Sequence, residues 1–385
     1  MKNNKILYIG GFELPDKNAA AHRVLNNAKA LKKLGHEIDF IGVTKKNAYI
    51  DKKNIYGFPY YEVDYPKNLM QWVVFIASIK NVKKIIKRTG KQYDTIICYN
   101  FPAVAMYKLY LYCKTNKIKL IADTTEWYTP DKKNIHGLIK YIDTEIRMRY
   151  ITKKCFGIIC ISQFLFDYYN SSENVILIPP LVDKSEEKWL LKNSNSEQQL
   201  DKKINLVYAG SPGMKKDKLN WIIDLFNNMK DGEKKAELLI IGVNRKELNN
   251  IYPKYISIDL EKKGIYLMGR IEHSEVLPII KKADFYIFLR EVNRVNMAGF
   301  PTKYVEAMSL GTPVITNKTS DLQTYMDNGV NGFFINTDDK LDQDEFDSIL
   351  NMSASDLLDM KKNFKDQNIF DYNNYIEEFS KLFLE

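Results

Sequence analysis

Two residues one helical turn apart, Lys303 and Glu306, are the best-placed chemistry in this chain. The apolar run Phe285 to Leu289 reads as a strand, and the polar loop after it ends at Ala298-Gly299-Phe300. Pro301 stands where a first helical residue belongs, because its fixed φ suits a helix start and its missing N–H costs nothing there. A helix then runs through Tyr304, Val305, Ala307, Met308 and Leu310, with Gly311 placed to end it in a left-handed conformation. Gly299, Phe300 and the free amides near Thr302 lead into the positive end of that helix, which favours a phosphate. Lys303 adds a full charge, and Glu306 lies on the same side. The arrangement suits a nucleotide, with its diphosphate on the helix end and its ribose hydroxyls on Glu306. It also fits an ordinary α/β unit whose lysine and glutamate are merely solvated.

A second anion signal precedes it. The strand Ile204 to Ala209 ends in the turn Gly210-Ser211-Pro212-Gly213, and Lys215-Lys216-Asp217 follows. A glycine turn at a strand end with lysines just beyond can wrap a phosphate with backbone and side chain together. Arg290 and Arg294 bring further positive charge to the loop before the Lys303 helix. A third cluster, Asp123-Thr124-Thr125-Glu126-Trp127, falls after another strand and sets two carboxylates beside two hydroxyls. Two readings of it stay open. Asp123 or Glu126 orients or deprotonates a hydroxyl, or both cap the next helix and pair with bases such as Arg147 and Arg149.

Positioning these groups requires parallel sheets. Ile6 to Ile9 reads as a buried strand, followed by Gly10-Gly11 and a helix carrying Val24, Leu25, Ala28, Leu31 and Leu34 as far as Gly35. Glu37 to Val43, Thr95 to Tyr99, Ile118 to Asp123, Gly157 to Ile161 and Val175 to Ile178 read as further strands with helices between them. The full G-x-G-x-x-G pattern and its ribose carboxylate are missing from the start, which disfavours hydride chemistry. From 204 onward the rhythm restarts, with strands at Leu238 to Gly242, Ile265 to Gly269 and Phe285 to Leu289.

The chain has 385 residues, enough for two cores. Residues 1–183 hold 29 Lys plus Arg against 16 Asp plus Glu, whereas residues 184–385 hold 28 against 32. A basic half joined to a mildly acidic one suggests that only the first meets an anionic surface or substrate. The basic–apolar helix from Ser78 to Arg88 fits two roles: rest on an anionic membrane face, or a solvated outer layer of the sheet. Its apolar residues belong either to the core or to the lipid interface. Cys98, Cys113, Cys155 and Cys160 form no C-x-x-C pair and read as buried reduced thiols of a cytosolic protein. His22, His36, His136 and His273 lack metal-ligand spacing. No signal peptide is expected, and no apolar stretch is long enough to span a bilayer.

The segment around Glu306 resembles glycosyltransferase family four, whose members have the two-Rossmann-domain GT-B fold. Glu306-Ala-Met-Ser-Leu-Gly-Thr-Pro-Val-Ile matches that family's second glutamate and the helix and strand after it. The family's first glutamate would stand at Ala298, and the Gly-Phe-Pro-Thr-Lys stretch points to a divergent subgroup. Six residues beyond Gly210 comes Lys216, at the family's diphosphate lysine, while the arginine usual after that glycine is Ser211. Gly10, Gly11 and the Gly35-His36-Glu37 turn are similar to the family's sugar-facing loop, and Ile178 to Asp183 resembles its crossover segment. The likeness is good over 204–336 and loose over 1–183.

That resemblance implies an α/β protein of two Rossmann-like doubly wound domains facing a cleft. Residues 1–183 would be the acceptor side, 184–203 a linker and 204–365 the nucleotide-sugar domain, with 366–385 a helix returning to the first. It implies retaining transfer without metal or cofactor, from a nucleoside-diphosphate sugar (UDP favoured) to a hydroxyl of a glycan or lipid-linked acceptor, in cell-surface polysaccharide synthesis. Nucleic acid is not an expected partner. The expected location is the cytoplasm, with contact at the inner membrane face as a further option. The donor would meet Gly11, Gly210, Ser211, Lys216, Arg290, Gly299, Phe300, Thr302, Lys303 and Glu306. Lys216 and Lys303 would carry the leaving charge, and Asp123 or Glu126 would serve the acceptor. A GT-B epimerase, a non-catalytic partner subunit and a glycoside hydrolase are the competing classes, the last disfavoured by the lysine-rich loops.

Overall fold

The computed structural model describes residues 3–15, 18–46, 53–129, 135–190, 203–210, 216–229, 236–338, 340–364 and 369–384. They fall into two compact units. One comprises residues 1–183, 297–300 and 370–385, and the other comprises 184–296 and 301–369.

The first unit contains β1 (Lys5–Gly10), β2 (Glu37–Thr44), β3 (Lys53–Ile55), β4 (Phe58–Asp64), β5 (Thr95–Tyr99), β6 (Lys119–Thr124), β7 (Gly157–Cys160) and β8 (Val175–Leu177). They lie in the order β3-β4-β2-β1-β5-β6-β7-β8. All neighbours run parallel except the edge pair β3 and β4. That hairpin was not foreseen in the sequence. Its turn is Tyr56-Gly57, both at positive φ, so a tyrosine occupies a position where turn residues such as asparagine give the usual signal.

Helix α1 (Ala19–Lys33) buries Ala21, Val24, Leu25, Ala28 and Leu31 at helical spacing, and the Asn18 side chain accepts from the Ala21 amide at its start. It covers one face of the sheet together with Tyr372, Phe379, Leu382 and Phe383 from the far end of the chain. That end, expected as one helix, is a 3₁₀ turn (Tyr372–Tyr375), a short α-helix (Ile376–Ser380) and another 3₁₀ turn (Lys381–Phe383). Asp371 accepts from the Asn373 amide, and the Asn373-Asn374 pair is a poor helix former, so the segment opens as a tight turn. Helices α2 (Leu69–Ala77), α3 (Lys80–Thr89), α4 (Ala103–Thr115), α5 (Ile135–Ile146) and α6 (Gln163–Tyr169) complete the unit. On the opposite face of the sheet, α3 and α4 contribute Val82, Ile85, Met106 and Leu109 to the core. The apolar residues of α3 are therefore core residues. Cys98, Cys113 and Cys160 are buried and Cys155 is half-buried, and all four are unpaired.

The second unit's strands are β9 (Ile204–Ala209), β10 (Ala236–Ile241), β11 (Ile265–Gly269), β12 (Phe285–Ile287), β13 (Val314–Thr316) and β14 (Gly332–Phe334). Their order, β11-β10-β9-β12-β13-β14, is that of a dinucleotide-binding sheet. Helices α7 (Leu219–Asn227), α8 (Arg245–Ile251), α9 (His273–Lys282), α10 (Arg294–Ala298, its last two residues counted with the first unit) and α11 (Thr302–Leu310) follow in turn. Such sheets take ligands where the strand order reverses, at the carboxyl ends of the central pair. In the second unit that pair is β9 and β12, which end beside Gly210 and Arg290. In the first it is β1 and β5, which end at Gly10 and Tyr99. Among the described residues, no helix is long and apolar enough to cross a membrane.

Candidate functional site

The second unit assembles its charged residues at that reversal point. Helix α11 starts at Thr302, one residue later than the sequence suggests, because the ψ of 103° at Pro301 is extended and makes it the N-cap. Pro301 supplies no side-chain cap at this end, and Gly311 closes the other at φ +76°. From the first turn Lys303 reaches back to β9, where its ammonium stands 4.1 Å from the centre of the Tyr208 ring. It lies so close to Gly210 that a Cβ there would run into it. Asp217 bridges two cations, with Oδ2 at 2.6 Å from Lys303 Nζ and Oδ1 at 2.9 Å from Arg290 Nε. The Tyr208 hydroxyl donates to the same carboxylate at 3.2 Å. Arg290 is fixed through its backbone, which exchanges hydrogen bonds of 2.8 and 2.7 Å with the side-chain amide of Asn317.

Electrostatics bind this group tightly. Burial pushes the Asp217 carboxyl up, but Lys303 and Arg290 outweigh it and hold the pKa at about 2. Burial also lowers the pKa of Lys303, and Asp217 opposes that shift. Two cations contact one carboxylate, a local surplus of positive charge that Glu306, one turn along α11, partly offsets, and exposed Lys216 immediately precedes Asp217. A buried surplus of this kind beside a helix start whose N-cap residue supplies no side-chain cap is the physical description of an anion site.

The glycine loops set its floor. The Gly210 amide donates to the Ile241 carbonyl at 2.9 Å, and the Gly242 amide to Gly269 at 2.6 Å, so the ends of β9, β10 and β11 stack closely. Gly242 has φ +106°, and a Cβ there would collide with the Gly210 backbone. Glu306, one turn along α11, keeps 27% of its side chain exposed and meets His273 Nε2 at 3.5 Å. Ser211 lies outside the described residues. Ala298, Gly299 and Phe300 belong to the first unit, where the Ala298 carbonyl accepts from Ser162 Oγ at 2.9 Å and the Phe300 ring sits 5.9 Å from that of Phe370. Ala298 is fully buried, so this position has no opening for the missing glutamate. The second unit thus gathers Gly210, Arg290, Thr302, Lys303 and Glu306, while Gly299, Phe300 and Gly11 sit in the first.

In the first unit the expected acceptor carboxylate turns out to be internal. Asp123 is fully buried at the end of β6. Its Oδ1 accepts from Arg23 Nη2 at 2.7 Å and Nε at 2.9 Å, and its Oδ2 accepts from the Tyr8 phenol. Arg23 spends its remaining donors on the Ile178 and Pro179 carbonyls at 2.8 and 3.3 Å. Nothing of Asp123 is left to meet a substrate hydroxyl, and its partner is neither Arg147 nor Arg149. Arg149 pairs with Glu145 at 2.5 Å, and Arg147 donates to the Glu126 carbonyl at 3.3 Å. Glu126 is half-buried, with the Tyr128 phenol donating to its carboxylate.

Sequence reasoning missed Arg23, Asp217, Tyr208 and His273. Arg23 and Asn27 carried a signal, since they fall four residues apart on the buried side of α1. Asp217 carried none, because its partners lie far along the chain.

Residues 203–352 match a family model described as glycosyl transferases group 1. Among solved structures, the chain is similar to Anabaena HepE in complex with UDP and glucose at 14% identity, with 99% of each chain covered and a TM-score of 0.66. Sucrose-phosphate synthase from Thermosynechococcus elongatus matches at 13% identity over 99% of this chain and 98% of that one, with a TM-score of 0.68. The apo lipopolysaccharide outer core galactosyltransferase WaaB matches at 15% identity over 98% and 99%, with a TM-score of 0.63. No curated protein sequence matches. At these identities the likeness is one of fold. The chain has the two-Rossmann GT-B fold of glycosyltransferases, and its second unit carries the segment of the group 1 kind.

Proposed function

We propose that the chain is a retaining glycosyltransferase of the family-four kind, moving a sugar from a nucleoside-diphosphate sugar to a hydroxyl of a glycan or lipid-linked acceptor in cell-surface polysaccharide synthesis. The observation that carries the donor half is the surplus positive charge of Lys303 and Arg290 about Asp217, at the strand reversal of the segment that matches group 1. Breaking a sugar–phosphate bond leaves negative charge on the diphosphate and positive charge on the sugar. Fixed cations and helix amides aimed at the diphosphate stabilise that separation without reorganising. Lys303, Arg290, Lys216 and the first-turn amides of α11 take this role, and the diphosphate draws the two buried cations partly away from Asp217. Glu306 accepts from the ribose hydroxyls, exchanging its contact with His273 for them. UDP is the favoured nucleotide, in keeping with the UDP complexes of the Anabaena neighbour. Retention and the choice of acceptor rest on the sequence likeness.

The test is turnover of the purified protein with a panel of nucleotide sugars, with and without lipid-linked acceptors. The expected result is nucleotide release that requires an acceptor, with the new anomeric proton showing the donor's configuration by NMR. Consumption of donor without acceptor would indicate an epimerase. Nucleotide binding with no turnover would indicate a partner subunit, and absence of nucleotide binding in calorimetry would overturn the reading altogether.

A further inference from the structure

Helix α2 of the first unit reads Leu-Met-Gln-Trp-Val-Val-Phe-Ile-Ala, yet none of its residues is buried. The reason lies beneath it. Met70 and Val74, 79% and 57% exposed, line a cavity of about 520 Å³. Its other walls are Ile9, Ile41, Val43 and Val63 from β1, β2 and β4, with Val82 from α3. The helix therefore covers a cavity where a core would ordinarily sit. It is nevertheless held at both ends. The Asn68 side chain accepts from the Gln71 amide at 2.9 Å, and the Lys108 ammonium donates to the Ala77 carbonyl at 2.6 Å. A roof fixed in place over an apolar hollow is the form of a ready-made ligand site.

Position, size and chemistry say what it takes. Strands β1, β2 and β4 run parallel, and Gly10, Asp64 and Tyr65 at their carboxyl ends line the cavity. That is the edge at which such sheets take ligands. The volume falls within the roughly 300–1,000 Å³ of small-molecule sites. The charged and amide side chains that line it, Asp64, Lys67, Gln71, Lys80 and Asn81, are all exposed and so stand at its mouth. A wholly polar ligand would press unpaired hydroxyls against Ile9 and Val43, which is costly. An alkyl chain suits those walls, and a hydroxylated head finds a carboxylate and two amides at the mouth. We propose that this cavity holds the alkyl or prenyl chain of an amphipathic acceptor, with the hydroxylated head at the mouth. That the ligand is amphipathic stands on the cavity alone; that it is the acceptor rests on the glycosyltransferase reading.

Calorimetry of the full chain with methyl, hexyl and octyl glucosides, each below its micelle concentration, tests it without turnover. Affinity should rise about threefold to fourfold for each added methylene and level off once the cavity is full. Val63→Trp fills the cavity from the sheet and should abolish the gain from hexyl to octyl. Met70→Ser with Val74→Ser strips the roof and should weaken octyl binding about tenfold. Met70 and Val74 are exposed, so thermal unfolding of the serine variant should match the wild type, and UDP affinity should be unchanged in both variants. Absence of any chain-length preference in a protein that still binds UDP overturns this proposal alone. Chain-length preference without UDP binding overturns the donor reading, and with it the role of acceptor. Preference that survives in the tryptophan variant places the chain elsewhere and overturns the proposal. A dimer in light scattering that the serine changes convert to monomer, with no chain-dependent binding, gives α2 to a second copy and overturns it too.

Discussion

Each unit carries a carboxylate locked to a basic side chain at the end of a sheet, yet the two clusters serve opposite ends. Around Asp123 the charges match one to one, and the spare Arg23 donors are absorbed by carbonyls. Around Asp217 two cations contact one carboxylate, beside a helix start whose N-cap, Pro301, supplies no side-chain cap. A balanced buried pair holds chain segments together, whereas an unbalanced one waits for an anion. The distinction lies in the count of partners, not in burial, for both carboxylates are buried.

The largest effect should come from unbalancing the closed cluster. Arg23→Met leaves Asp123 buried without its counter-ion and should cost about 3–5 kcal/mol in urea denaturation, with Arg23→Met/Asp123→Asn recovering part of the loss. Should the single variant be as stable as wild type, the first cluster is not the internal brace that its geometry describes. In the open cluster, Lys303→Ala should weaken UDP binding by roughly 1.5–3 kcal/mol while leaving uridine affinity unchanged, and Glu306→Ala should weaken both ligands by a similar amount. Calorimetry on the two ligands distinguishes them.

Asp217 itself offers a pH signature. Its carboxyl is held at about 2 against an ordinary 3.8, so its ion pairs add stability above pH 3.8 and lose it as the pH falls toward 2. Asp217→Asn should therefore be less stable than wild type by roughly 2 kcal/mol near neutrality, with the two converging across that acid window. UDP affinity should hold or rise in this variant, since the cations are released; a tenfold loss would instead place Asp217 in the ligand's own cradle. The smallest effect belongs to His273. Its partly exposed contact with Glu306 is worth less than about 1 kcal/mol, so His273→Gln should barely change nucleotide affinity. A large loss would make the imidazole part of the nucleotide site.

What the sequence disclosed follows the range of the forces involved. Strands such as Ile204 to Ala209 and the Gly311 cap announce themselves because apolar runs and left-handed glycines are local signals. Lys303 and Glu306 were visible for the same reason, being one turn apart on one helix. The bond between Lys303 and Asp217 was not, since Asp217 reads only as the acid of Lys215-Lys216-Asp217 until β9 and α11 are brought together. Asp123 was misread as accessible because a carboxylate at a strand end looks the same whether solvent or an arginine 100 residues away receives it.

The placement of Tyr372, Phe379, Leu382 and Phe383 in the first unit's core has a consequence for how the molecule is made. During synthesis the sheet of residues 1–183 emerges first, but these side chains arrive only after the whole second unit has been translated. Until then Leu25, Leu31, Ile176 and their neighbours wait with part of their cover missing, an apolar face of the kind that chaperones grip. A premature stop after residue 369 would spare nearly all of the anion site and yet leave the opposite unit unfinished. Four side chains between residues 372 and 383 thus decide the fate of the first 183 residues.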